Sequence, residues 1–213
     1  MPLGEHFKIG TKSSLLYLDI YKGHFATSHS HTNYYIDITT HKSSIRESTA
    51  VAKALADDYK NSVMVDTILC LDGTEVIGAC LARELTRDDS FNVNAGGDVF
   101  VLTPEHTTGS QLFFRDNVAP MVTGKSVLVL AASVVTGFTA RSAIEAVNYY
   151  GGRVVGVGSL FATIDECVGV PVSSVFDPND LPGYATNVSN ECPMCKAGKR
   201  IDALVNNFGI SML

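Results

Sequence analysis

Apolar residues recur along this chain in two rhythms. In "SSIRESTAVAKALADDY" (Ser43–Tyr59), Val51, Leu55 and Tyr59 share one helical stripe with Ala52 and Ala56, which predicts an amphipathic helix. Ser44-x-x-Glu47 at its start has the form of a capping box, each side chain taking a backbone N–H that the helix leaves open. Val63–Leu71, Lys125–Leu130 and Arg153–Phe161 are instead nearly continuous in apolar residues, as strands are when both their faces are covered. Val170–Phe176 reads as a fourth such strand, and 98–103 and 111–114 as short ones. "VIGACLAREL" (Val76–Leu85) and Ala140–Tyr150 read as helices, the second ended by Gly151-Gly152. Tyr34–Thr39 reads as a first strand, and residues 1–33 as irregular.

Strand and helix alternating at this spacing predict an α/β fold: a central, mostly parallel sheet flanked by helices, with right-handed crossovers. Ligands of such sheets lie at the carboxyl ends of the strands. Two loops qualify, Leu71–Glu75 and Ala131–Thr139.

Composition narrows the class. The 213 residues suit one domain, 1–213, with a sizeable core, and 46% hydrophobic against 18% charged residues is a globular balance. The formal charge is -6 with no basic run, which argues against nucleic acid as a partner. No apolar run approaches the roughly 20 residues of a membrane span. "MPLGEHFKIG" lacks the order of a secretory leader, so the expected location is cytoplasmic, with no membrane partner. Cys70 and Cys80 lie within apolar segments and are expected to be reduced core residues.

The second loop carries candidate chemistry. Val135-Thr136-Gly137-Phe138-Thr139 joins a buried strand to a helix start. Gly137 lets the backbone approach a ligand, the helix start offers N–H groups and a positive dipole end to a phosphate, and Thr136 and Thr139 add hydroxyls. The same residues also describe a plain turn with Thr139 as N-cap. Neither Gly-Lys-Ser/Thr nor Gly-x-Gly-x-x-Gly is present.

"VLVLAASVVTGFTA" (Val127–Ala140) resembles the ribose-phosphate motif of type I phosphoribosyltransferases: a hydrophobic strand, two acids, two apolar residues, then Thr-Thr/Ala-Gly and a small hydroxyl residue. "GHFATSHSHTNYYID" (Gly23–Asp37) resembles the N-terminal segment of orotate phosphoribosyltransferases, "VDTILCLDGTEVIGACLAREL" (Val65–Leu85) their pyrophosphate loop with its strand and helix, and "ECPMCKAGKRID" (Glu191–Asp202) the tail of some members. The resemblance implies a small N-terminal hood (1–33), a Cys-bearing tail (183–213) and a homodimer. It implies transfer of ribose 5-phosphate from phosphoribosyl diphosphate to a pyrimidine base, with magnesium. It assigns phosphate binding to Val135, Thr136, Gly137, Phe138 and Thr139, and the pyrophosphate loop to Asp72, Gly73, Thr74 and Glu75. Ser28–Asn33 would lie near the base.

Several positions depart from that pattern. The acid pair, which binds the ribose hydroxyls and helps hold magnesium, is Ala131-Ala132, and a methyl group accepts no hydrogen bond. Val135 stands where a hydroxyl residue is usual. The loop lysine is replaced by Glu75, with Asp72 close by; these carboxylates either repel a diphosphate, ligate a metal, or simply make a solvated turn. The family's mobile loop supplies cations to the departing pyrophosphate, yet no Lys or Arg occurs between Val101 and Phe114. His106 remains there as a hydrogen-bond donor or a solvated side chain, and Arg115 is the first base after it. Glu75 and His106 are thus the candidate catalytic residues. Two functions follow: an orotate phosphoribosyltransferase-like transferase, or a non-catalytic regulatory protein that binds a nucleotide or phosphoribosyl ligand.

Cys192-Pro-Met-Cys195, followed by Gly198, has the form of a zinc knuckle that supplies two of four ligands. Cys167, a histidine or a second copy could supply the others; the alternative is a tight turn with two free thiols, and zinc at the tail would suit a structural scaffold. His24, His29 and His31 cluster near the N-terminus without a flanking carboxylate or cysteine. His29 and His31 share one face of an extended segment and could bind a metal, line a ligand mouth or face solvent.

Overall fold

The computed structural model describes residues 4–10, 16–109 and 111–213. Of the expected N-terminal segment, 1–3 and 11–15 therefore lie outside the described residues, as does Ser110. In chain order the elements are β1 (His6–Gly10), β2 (Tyr17–Ala26), β3 (His31–Asp37), α1 (Thr39–Ser43), α2 (Ile45–Tyr59), β4 (Thr67–Cys70), α3 (Glu75–Leu85), β5 (Phe100–Leu102), β6 (Glu105–His106) and β7 (Leu112–Phe113). They continue as β8 (Ser126–Val134), α4 (Phe138–Tyr149), β9 (Arg153–Ala162), β10 (Glu166–Cys167), β11 (Val170–Phe176), β12 (Thr186–Asn187), α5 (Pro193–Lys196), β13 (Ala203–Asn206) and β14 (Gly209–Met212). The chain divides into two compact units, one of residues 1–40 with 178–213, the other of 41–177.

The 41–177 unit holds the expected α/β fold. Its sheet runs β10-β11-β9-β8-β4-β5, parallel throughout except where β10 meets β11. Val127, Val129 and Ala131 of β8 pack with Ala140, Ala143 and Val147 of α4, whereas Leu128 and Leu130 approach the side of Tyr59 and Leu55 of α2. Both faces are covered, which is why the strand shows no polar alternation. After β4 the chain turns through α3 to the outer strand β5; from β8 onward it builds the other way, toward β9 and β11. The reversal falls between β4 and β8, where such sheets open a crevice.

Boundaries moved for local reasons. The strand expected over Val63–Leu71 is confined to Thr67–Cys70, because the Asn94 side chain takes its lead-in: Nδ2 donates to Val63 O and Oδ1 accepts from Val65 N, both at 2.8 Å. The strand expected to stop at Leu130 continues to Val134, held by β9 up to the Val134–Ala162 pair. Helix α2 forms behind Ser44, but the capping box does not close: no side-chain bond caps the helix, and Glu47 pairs with Arg46 at 3.0 Å.

The other unit corrects two expectations. Residues 6–10 and 17–26 are strands, not irregular chain, and the strand placed at Tyr34–Thr39 is His31–Asp37. They belong to an antiparallel sheet, β12-β3-β2-β13-β14, with β1 also on β2; β13 is parallel to β2. The tail is woven onto the N-terminal strands. Asn33 Nδ2 donates to Gly183 O at 2.7 Å, its Oδ1 accepts from Ala185 N at 2.8 Å, and Tyr34 OH donates to Pro182 O at 3.3 Å.

Candidate functional site

The two expected ligand loops leave neighbouring strands. Leu71 N donates to Leu130 O at 2.8 Å, so the turn after β4 starts beside β8. Asp72 and Gly73 both have positive φ, 59° and 77°, and Thr74 N closes the turn on Leu71 O at 3.1 Å, as in a type I′ turn. Thr74 is fully buried and its hydroxyl donates to Leu71 O (2.8 Å) and Leu130 O (3.1 Å), which fastens the turn to both strands. Glu75 begins α3, and its Oε1 accepts from Thr103 Oγ1 at 3.1 Å. Lys42 Nζ donates to Asp72 O at 2.7 Å. This cation, thirty residues from the loop in sequence, was invisible to spacing arguments.

The second loop follows β8. Gly137 caps α4 with φ 71°, a left-handed conformation that a side chain resists. A Cβ there would also lie 3.0 Å from Ile164 Cδ1 and 3.2 Å from Cys167 Sγ. Thr136 and Thr139 are exposed; Thr163 Oγ1 donates to Val135 O at 2.7 Å and steadies the loop from β9's side. The acid-pair positions are not at a loop. Ala131 and Ala132, 2% and 1% exposed, lie within β8, which continues past them.

The stretch corresponding to the mobile loop forms the hairpin β6–β7. Arg115, its one nearby base, is committed within it: Nε and Nη2 donate to the Glu105 carboxylate at 2.8 and 2.7 Å, and the guanidinium lies 5.0 Å from the centre of the Phe113 ring. Those hydrogen bonds hold Glu105 below the usual carboxylate range. His106 is exposed on β6. A groove of about 650 Å³ lies between hairpin and helix, lined by Thr107, Leu112 and Phe113 on one side and by Phe138, Ser142 and Tyr149 on the other. His106 is not on it.

A second constellation stands in the other unit. His24, His31, Cys192 and Cys195 each bring one ligand atom to within 4.8 Å of all the others, and all but Cys195 are buried. His24 Nε2 lies 3.1 Å from His31 Nδ1, 3.5 Å from Cys192 Sγ and 3.6 Å from Cys195 Sγ; His31 Nδ1 lies 3.2 Å from Cys195 Sγ. A register shift in the β2–β3 pairing between Lys22 and Phe25 breaks the alternation, so that His24 and Phe25 are both buried. His31 begins β3, and Asn187 of β12 pairs with it, bringing the tail alongside. The cysteines that the histidines lack in their own stretch come from the far end of the chain, and of the completing ligands expected for the Cys192–Cys195 knuckle it is histidines, not Cys167, that stand beside it. His29, expected to act with His31, is exposed in the intervening turn and outside the group, and Cys167 belongs to the other unit, its Sγ directed at Gly137 O. Burial first, then the neighbouring His24, lowers the pKa of His31.

No family model matches the chain. An orotate phosphoribosyltransferase of a Thermoanaerobacter species is 31% identical over 182 residues, 84% of this chain and 86% of that protein. The orotate phosphoribosyltransferase of Caldanaerobacter subterraneus subsp. tengcongensis is 28% identical over the same shares. Among solved structures, Mycobacterium tuberculosis H37Rv orotate phosphoribosyltransferase, in complex with Fe(III) dicitrate, matches with a TM-score of 0.54 at 20% identity, over 77% of this chain and 92% of that one, a likeness of fold. Among the described residues, no helix is long and apolar enough to cross a membrane.

Proposed function

Since this chain belongs to the orotate phosphoribosyltransferase-like family of phosphoribosyltransferases, we propose that it binds the 5′-phosphate of a nucleotide or phosphoribosyl compound in the Val135–Thr139 loop and does not transfer the ribosyl group. The observation that carries this reading is a contrast along one strand and its loop. The left-handed Gly137 turn that aims helix N–H groups at a phosphate is kept, while methyl groups buried in the sheet occupy the positions of the sugar-binding acids. In the liganded protein the amides at the start of α4, with Thr136 and Thr139, grip the phosphate. The Asp72–Glu75 turn faces the opposite end of the ligand, and Lys42 supplies its positive charge.

Transfer would require cations around the leaving diphosphate and acceptors for the ribose hydroxyls. Arg115 is occupied by Glu105, and alanine methyls accept nothing. Magnesium, implied by the family, is held in such sites by one or two carboxylates together with the ligand's own phosphates. Here the acid-pair positions carry buried methyl groups, which leaves Asp72 and Glu75 of the turn after β4 as the carboxylates that could face it. The transferase reading is favoured by Lys42, which gives the pyrophosphate turn the cation that Glu75 denies it. The proposed assembly is a homodimer, to be read by light scattering.

Calorimetric titration with phosphoribosyl diphosphate, and separately with uridine or orotidine 5′-monophosphate, each with and without magnesium, separates the two readings. An assay of pyrophosphate release with orotate follows. The expected result is monophosphate binding that does not depend on magnesium, with no release. Magnesium-dependent binding of the diphosphate with turnover would overturn the proposal in favour of the transferase.

A further inference from the structure

We propose that His24, His31, Cys192 and Cys195 form a closed, structural zinc(II) site that ties the tail of the chain to its N-terminal strands. In a tetrahedral zinc site, Zn–S and Zn–N bonds place ligand nitrogens about 3.4 Å apart, sulfur and nitrogen about 3.6 Å apart and sulfurs about 3.8 Å apart. The N–N separation here is 3.1 Å, and three of the four S–N separations are 3.5, 3.6 and 3.2 Å. Four of the six edges of a tetrahedron are thus near coordination size, and the other two lie within 4.8 Å. Two imidazoles with two thiolates is a donor set that suits zinc, and four protein ligands leave no open position for chemistry.

One feature outside the ligand atoms supports a metal over a hydrogen-bonded cluster of the four side chains. The Nδ1 of His24 faces the carbonyls of Lys199 and Arg200 at 2.9 and 3.1 Å. Only an N–H can satisfy those oxygens, so the Nε2 lone pair is turned into the group, the arrangement that orients a metal-bound histidine. Gly198, with φ 73°, lets the chain fold back directly after the short helix that carries Cys195. His24 and Cys192 are 168 positions apart, so one ion would close a loop of most of the chain. The proposal stands independently of the ligand reading above.

The test is made on untagged, full-length protein purified under reducing conditions from zinc-supplemented medium. Mass-spectrometric elemental analysis should find one zinc per chain after dialysis. X-ray absorption at the zinc edge should fit two sulfur and two nitrogen neighbours, and cobalt substitution should give the intense visible bands of a tetrahedral ion with thiolate charge transfer. Cys195→Ser and His31→Ala should each lose most of the zinc, while His29→Ala and Cys167→Ser retain a full equivalent. Wild-type protein that holds neither zinc nor cobalt would overturn the site, whatever the variants do. So would full zinc occupancy in His31→Ala, or an absorption fit with a ligand shell other than two sulfurs and two nitrogens.

Discussion

Single residues divide where this chain matches the family pattern from where it departs. Gly137 is kept because no other residue sits easily at φ 71° with Ile164 and Cys167 so close. Gly137→Ala is expected to destabilise the protein by about 1–2 kcal/mol in urea unfolding. It should also weaken monophosphate binding in calorimetry, since the amides of α4 lose their aim. The alanines at 131 and 132 show why reversing the loss is difficult. Ala131 packs with Ala140 and Ala143, so Ala131→Asp would bury a carboxylate among methyl groups. A loss of about 3 kcal/mol or more is expected, measured by the same unfolding curves, with no gain of pyrophosphate release. The thiols differ in the same way. Burial pushes Cys70 up to about 12, so it should resist alkylation at neutral pH in the native state, whereas Cys195 is exposed and should be protected only while zinc is bound.

At the scale of elements, the hairpin β6–β7 departs from the expected mobile-loop pattern, with no Lys or Arg between Val101 and Phe114. Its Arg115 closes on Glu105, where a cation free to meet a leaving group would serve transfer. The carboxyl of Glu105 is depressed by the hydrogen bonds from Arg115, so the clamp is fully present at neutral pH and is lost as pH falls through the folded-state value, below the usual carboxylate range. Both groups are exposed, so Arg115→Ala should leave the unfolding midpoint unchanged. Faster amide exchange at His106 and Leu112, seen by NMR, is the expected sign that the hairpin has loosened. Asn94 acts on an element in the opposite sense, replacing strand pairing ahead of β4 with its own amide. Asn94→Ala should cost about 2 kcal/mol, because it strips partners from Val63 O and Val65 N in a buried setting.

For the molecule as a whole, net charge and chain connectivity set the behaviour. A formal charge of -6 repels an anionic ligand at long range, so affinity must come from the amides and Lys42 at short range. Monophosphate binding should therefore weaken little as salt rises, since the same salt also screens the repulsion; a steep loss in calorimetry would point to cations outside the two loops. One unit is assembled from both ends of the chain and holds the proposed zinc, and the other is the continuous segment 41–177. Chelation should raise hydrogen exchange in residues 17–37 and 185–206 and leave β4, β8 and β9 protected.

What was legible in the sequence was local. The buried strands β8 and β9, the half-buried β11, the helices α2, α3 and α4, and the turns at Asp72-Gly73 and Gly137 announce themselves through periodicity and through glycine, because neighbouring residues decide them. The two candidate loops could be placed in advance for the same reason: strand ends and helix starts carry their own backbone chemistry. Tertiary structure decided the rest. The strand before Thr67 gave way to Asn94, a distant partner that outcompeted the local pairing, while the capping box stayed open with Glu47 turned to its neighbour Arg46. Lys42 reached Asp72 from another helix, and Ala131 proved to be core because β9 extends β8 past it. Two histidines and the cysteine knuckle, each able to supply only two ligands from its own stretch, met only because the tail adds strands to the N-terminal sheet. Spacing along a chain carries information about contacts a few residues away, and a metal-sized group closed across 168 positions lies beyond its reach.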